Sequence, residues 1–254
     1  MNLSLSNFAW DNEESEIIFD EIKKIGIFNI EGVLTKLASW ENLSDNKIIE
    51  YKKILNSKDI RLESLQSLFY GVKCDGIKDD DIFINHFKRL IEISKLLSSK
   101  ILVFGSPGLR KKYEGWEEHL TKVFKELDLI LEGTGIQISI EPNSKIYGGD
   151  YFFTVSEIVE FITKNKLNNI KTMIDTHNII LENSDPIIDF EKYYTYINHI
   201  HISENKLEII KNFNFHINFS NHIKKLKYGK IITYEVIKCE NVLNSVNKFY
   251  EIYK

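Results

Sequence analysis

An α/β fold, built as a single (β/α)8 TIM barrel over residues 1–254, is the architecture this sequence predicts. Strand-like and helix-like segments alternate from end to end, and their number and the chain length suit such a barrel. No stretch rich in Pro, Gly or Ser divides the chain. Pro107, Pro142 and Pro186 each fall just after a strand or just before a helix, as in the βα loops of one domain.

Each element has its own local warrant. Leu3–Phe8 is the first strand, and Asp11–Ile25 follows as an amphipathic helix with acidic residues in its first turn. Gly26 ends that helix. Ile27–Ile30 is the second strand, and Ser44–Asn56 a helix with Ser44 as N-cap. Arg61–Leu68 is the third strand, followed by a long helix over Asp79–Leu97. Ile101–Phe104 is an apolar run of the buried parallel type, and Glu117–Leu131 is its helix. Ile136–Ile140 is the fifth strand, and Thr154–Asn165 begins with a Thr154/Glu157 capping box. Ile170–Ile174 and Ile197–Ile202 are the next strands, with a short helix near Phe190 between them. Phe213–Leu226, Ile231–Val236 and Glu240–Tyr253 complete the pattern as helix, strand and helix.

Composition narrows the function. At 43% hydrophobic the chain can bury a full core. Cys74 and Cys239 match no zinc-finger or CxxC spacing, which fits a reducing compartment and a cytoplasmic location. The sequence shows no signal-peptide order and no run long enough to span a bilayer, so no membrane partner is expected. Net charge is −4, and that leaves no basic footprint for nucleic acid.

Four apolar runs end in side chains able to bind a divalent cation. They are ISIEPN with Glu141, TMIDTHN with Asp175, INHIHISEN with His201 and IITYEVI with Glu235. Carboxylate and imidazole suit a hard or borderline divalent metal. In a parallel barrel, the C-terminal strand ends meet at one mouth, where such barrels carry their chemistry. His199 rivals His201, because alternation puts both on one face of the strand. His201 lies nearer the mouth, and His199 reads as its support.

Further strings carry a resemblance. SLSNFAW, IEGVLTKLASW, SLQSLFYG, VFGSPGLRKKY and HISENKL occur in the order and spacing of strand ends one, two, three, four and seven of a known group. Nearly the whole chain resembles the xylose-isomerase-like TIM barrels, the sugar phosphate isomerase/epimerase superfamily. The resemblance implies that Glu141, Asp175, His201 and Glu235 hold one divalent metal, Mn2+, Mg2+, Co2+ or Zn2+. It implies that Glu141 and Glu235 form the catalytic acid–base pair. The implied substrate is a small carbohydrate, turned over by isomerisation or epimerisation. A keto-polyol dehydratase would use the same chemistry. A non-catalytic binding barrel and an endonuclease IV-like enzyme are the remaining alternatives, and the second of these needs more histidines at strand ends than this chain offers. Dimers and tetramers are common among similar barrels, so the resemblance also allows a homo-oligomer.

Trp10, Gln66, Arg110, Asn178 and Glu204 are the expected substrate contacts, with Phe104, Tyr113, Trp116 and Lys206 behind them. Trp10 can stack on a sugar or seal the barrel top. Arg110 suits a phosphate or carboxylate, though a solvated loop charge is the plainer reading. Asn178 replaces the His of an Asp-x-x-His pair found in many relatives, with His177 one place earlier. That departure leaves the role of Asp175 intact and weakens the case for a second metal. Glu31 and Lys36 are expected just after the second strand, at the mouth.

Overall fold

Eight strands close on themselves in the computed structural model, which describes residues 1–254. They are β1 (Asn2–Ser6), β2 (Asn29–Val33), β3 (Arg61–Gln66), β4 (Ile101–Phe104), β5 (Gln137–Ile140), β6 (Ile170–Asp175), β7 (Ile197–Ile202) and β8 (Ile231–Tyr234). Each pairs in parallel with the next, and β8 returns to β1. Strands covered on both faces read as near-continuous apolar runs, and ILVF of β4 and IITY of β8 are buried throughout.

The wrapping helices are α1 (Ser15–Ile25), α2 (Asp45–Ser57), α3 (Asp80–Leu97), α4 (Trp116–Leu131), α5 (Val155–Asn165), α6 (Thr176–Leu181), α7 (Pro186–Tyr193), α8 (Phe213–Lys225) and α9 (Val242–Tyr253). Their ends follow the capping chemistry of the sequence. Gly26 closes α1 at φ 106°, and a Cβ there would meet the Tyr250 hydroxyl at 2.6 Å, so a side chain is excluded twice over. Ser44 accepts from the Lys47 amide, and Thr154 and Glu157 form the reciprocal box on α5. Phe104 joins the aromatic packing with Phe69, Phe83, Phe87 and Phe124 between β4 and the helices. This corrects its candidacy for the mouth. No helix is long and apolar enough to cross a membrane.

Three differences from the sequence reading bear on function. The second strand is Asn29–Val33 rather than Ile27–Ile30, so Glu31 lies inside it and not in the loop beyond. The last strand stops at Tyr234, which makes Glu235 the first residue of the loop. Between β6 and β7 there are two helices, because Asp175 caps a short α6 before Asp185 and Pro186 start α7. The register also shifts by one residue at Ile30/Glu31 and at Thr172/Met173. Such irregularities re-aim the side chains that follow them.

Candidate metal centre

Four consecutive strands bring the proposed ligands together. Glu141 follows β5, Asp175 ends β6, His201 is the penultimate residue of β7 and Glu235 follows β8. Asp175 and His201 are register partners, which places them side by side. One ligand atom from each of the four residues lies within 4.8 Å of the others. The Nδ1 of His201 is 3.4 Å from Glu235, 3.5 Å from Glu141 and 3.8 Å from Asp175.

Each carboxylate is aimed by its own partners. Asp175 Oδ1 accepts from the Asn178 amide at 2.7 Å, capping α6, and from Ser203 Oγ at 2.9 Å. That leaves Oδ2 toward His201. Glu141 Oε2 accepts from Asn143 Nδ2 at 3.1 Å. Gly105 makes room for that carboxylate, since a Cβ there would stand 2.3 Å from Glu141 Oε2. The Glu235 amide donates to Ile202 O, fixing the turn out of β8.

The charges show what the site lacks. Burial pushes the Asp175 carboxyl up to about 8, helped by the negative charges of Glu141 and Glu235. Burial raises Glu235 as well, even against the attraction of His201. Burial also works to raise Glu141, but His201, Asn143 and Arg110 outweigh it and hold that carboxyl low. His201 is raised well above the usual imidazole range, since Glu31, Glu235 and Glu141 together overcome its burial. Three buried carboxylates around one imidazole make a donor set in want of positive charge. The inward nitrogen of His201 has no hydrogen-bond partner. Ligand atoms around a first-row cation at roughly 2.1 Å stand about 3 to 4 Å apart, which these residues match. The residues therefore fit a single divalent metal.

Above the ligands opens a cavity of about 440 Å³, lined in part by Glu141, Asp175 and Glu235 and by Tyr147, His177 and Asn178. Ser203, Glu204 and Lys206 also reach it. Another cavity, of about 340 Å³, lies outside the barrel between α4 and α5 and holds none of the ligand residues. Asn178 and Glu204 thus stand where a substrate contact was expected. Glu204 is also committed to the start of α8, accepting from the Lys211 and Asn212 amides. Gln66 is buried beside the first strand and donates to Ser6 Oγ at 2.6 Å.

Two expected contacts lie elsewhere. Arg110 is fully buried, and its guanidinium donates to the carbonyls of Phe104, Glu141 and Phe152. It clamps the loops after β4 and β5 instead of reading an anion. Trp10 is buried against Phe19 and donates to Ser15 Oγ at 3.0 Å, so it seals α1 to the barrel. Among the residues behind them, Tyr113 bonds His119, and Trp116 stacks on Tyr151 beside α4. Lys36 has the same fate as Arg110, with its ammonium on the carbonyls of Asn7 and Trp10. Loop cations look alike in a sequence whether they face a ligand or a neighbouring carbonyl.

Glu31 was misplaced by sequence reasoning, and Ser64, Gly105 and Asn143 were passed over. A carboxylate inside the apolar run IFNIEGV was the available signal, because a strand buried on both sides has no solvent face for a charge. Gly105, directly after ILVF, was a second signal.

Comparison with known proteins agrees with the architecture. The family model described as "xylose isomerase-like TIM barrel" matches residues 19–240. No curated protein matches the sequence. The fold is similar to 3-keto-D-glucoside 4-epimerase from E. coli, with a TM-score of 0.77 at 16% identity over 99% of this chain and 98% of that one. It is equally similar to D-psicose 3-epimerase from Clostridium cellulolyticum H10, solved with D-tagatose, with a TM-score of 0.77 at 15% identity and all of both chains covered. A probable 3-DHS dehydratase from Bacillus anthracis has a TM-score of 0.69 at 13% identity, covering 99% and 98%.

Proposed function

Because this chain belongs to the xylose isomerase-like TIM barrel family, we propose that it is a divalent-metal-dependent isomerase or epimerase of a sugar or sugar phosphate. The observation that carries the reading is the buried cluster of Glu141, Asp175, His201 and Glu235 at the floor of an open cavity. These four residues would hold the metal, with Mn2+, Mg2+, Co2+ and Zn2+ all suited to the donors. A bound divalent cation supplies Lewis-acid stabilisation for the negative oxygen that appears when a carbon beside a carbonyl loses its proton.

The chain's own residues carry the proton. In the metal-free protein Glu141 is held low and Glu235 is pushed up, so the two carboxylates stand in different surroundings. Glu141 and Glu235 flank the carbon as the pair, one taking the proton and the other returning it. Return to the same carbon from the other side epimerises, and return to the neighbouring carbon isomerises. Asn143 steadies the Glu141 carboxylate, and Arg110 steadies its backbone. Asn178, His177 and Glu204 offer polar contacts to hydroxyl groups along the cavity wall. The structural likeness to sugar epimerases supports this reading at the level of the fold.

The test has two parts. Metal content after loading with each cation should approach one per chain and be lost in a Glu141→Gln/Asp175→Asn variant. Ketoses incubated with the loaded enzyme in heavy water should then gain deuterium at the carbon beside the carbonyl, and Glu235→Gln should lower turnover about a hundredfold or more. Turnover unchanged in Glu235→Gln would sink the acid–base assignment. A dehydrated product in place of an epimer or isomer would move the enzyme to the lyase branch of the same chemistry.

A further inference from the structure

Beneath the four ligands sits a buried carboxylate with no part in the mechanism above. Glu31 of β2 is inaccessible to solvent, and it reaches across the barrel to β7. Its Oε1 lies 2.8 Å from His201 Nε2, and its Oε2 lies 2.8 Å from His199 Nε2. Ser64 of β3 donates to the same Oε2 at 2.6 Å. Both imidazole approaches are short, although neither ring is turned into line as a regular hydrogen bond. An ionised carboxylate buried without partners is strongly unfavourable, so three converging groups mark a built arrangement.

The two nitrogens of His201 therefore face different surroundings. Nε2 meets Glu31, while Nδ1 meets the carboxylates of Glu141, Asp175 and Glu235. A neutral imidazole carries its proton on one nitrogen and its lone pair on the other, and only the lone pair can bind a metal. A carboxylate such as Glu31 can only accept. It fixes the proton on Nε2 and leaves the Nδ1 lone pair toward the cavity floor. Without Glu31, three acceptors on the Nδ1 side would draw the proton there and block the ligand. His199 and Ser64 hold the Glu31 carboxylate in place.

We propose that Glu31 is the positioning residue of the metal centre, selecting the His201 tautomer that presents Nδ1 to the ion. The inference rests on the metal-centre reading. Glu31, His199 and His201 are also a triad of metal-ligand type, and the ion count below separates that role from positioning.

Glu31→Gln tests this, since the amide keeps the shape but can donate to Nε2. Mn2+ titration calorimetry should show affinity weakened about 10- to 100-fold, with the melting temperature of the metal-free protein little changed. Nitrogen-15 NMR of the Zn2+-loaded wild-type protein should show the His201 proton on Nε2. This second measurement needs no variant, so it stands even if Glu31→Gln fails to fold. Equal affinity in Glu31→Gln, or a His201 proton on Nδ1 in the loaded wild type, would overturn the proposal. Two ions per chain, one of them lost in Glu31→Gln, would make Glu31 a ligand and also overturn it. No ion in the wild type would remove the metal centre itself, which separates that failure from a failure of the positioning role alone.

Discussion

The half of the barrel from β5 to β8 supplies all four candidate ligands, whereas the half from β1 to β4 supplies groups that hold them. In the ligand half each functional side chain stands near a strand end, and the three carboxylates line the cavity. In the other half Glu31, Ser64 and Gly105 act through a neighbour. Glu31 reaches His201 from across the barrel, Ser64 donates to Glu31, and Gly105 leaves space for Glu141. The difference teaches that a closed barrel separates donation from alignment. One arc carries the donors, and the opposite arc sets their direction.

The sharpest way to break that division is to disturb a ligand from the supporting arc. Gly105→Ala puts a Cβ into the space of Glu141 Oε2. Metal affinity should fall about 10- to 100-fold by calorimetry, and unchanged affinity would mean that Glu141 has another place to sit. Next in size is the clamp between β4 and β5. Arg110→Met strands the carbonyls of Phe104, Glu141 and Phe152. Urea denaturation should show a loss of roughly 3 kcal/mol or more.

A pH series sharpens the same contrast, because the raised carboxyls lie in the ligand arc. The Asp175 carboxyl rises from 3.8 to about 8 on folding, so the metal-free fold binds this proton more tightly than the unfolded chain does. Its contribution to stability is full at low pH and is lost as pH rises from about 4 through about 8. Glu235 acts in the same sense. A cation competes with these protons, so Mn2+ should raise the melting temperature more at about pH 8.5 than at about pH 6. An equal shift at both would mean that no ligand proton is displaced. The smallest effect belongs to Trp10→Phe. It removes one hydrogen bond to Ser15, costing about 1 kcal/mol, and should leave metal affinity unchanged. A change in affinity there would tie the α1 seal to the ligand arc.

The two arcs were not equally legible in the sequence. Glu141, Asp175, His201 and Glu235 each lie within one residue of the end of an apolar strand, and barrel topology alone carries strand ends to one mouth. The alternation of elements was legible for the same reason, since each strand and helix is a local pattern. Glu31 was placed in a loop because the second strand runs to Val33, three residues past the end its apolar run suggests. Its two histidine partners stand more than a hundred residues away in sequence, beyond the reach of any local pattern. The sequence leaves Trp10 open between a substrate contact and a seal, and Arg110 between an anion contact and a solvated charge, since a loop position does not reveal whether a side chain turns to the cavity or to a neighbour.

The one-residue register step at Ile30/Glu31 has a consequence for how this chain tolerates insertion and deletion. The extra residue at the step is Glu63 of β3, whereas β2 runs on without one. Side chains alternate across a strand, so removing one residue of β2 ahead of Glu31 would turn it from the barrel interior toward the helices. No adjustment of the βα loops can reverse that change. Variation in length is therefore free in the segments above the barrel, which shape the cavity wall, and closed in β2, which aims the histidine below it. Relatives could diverge widely in what the cavity admits while keeping residue-for-residue spacing within that strand.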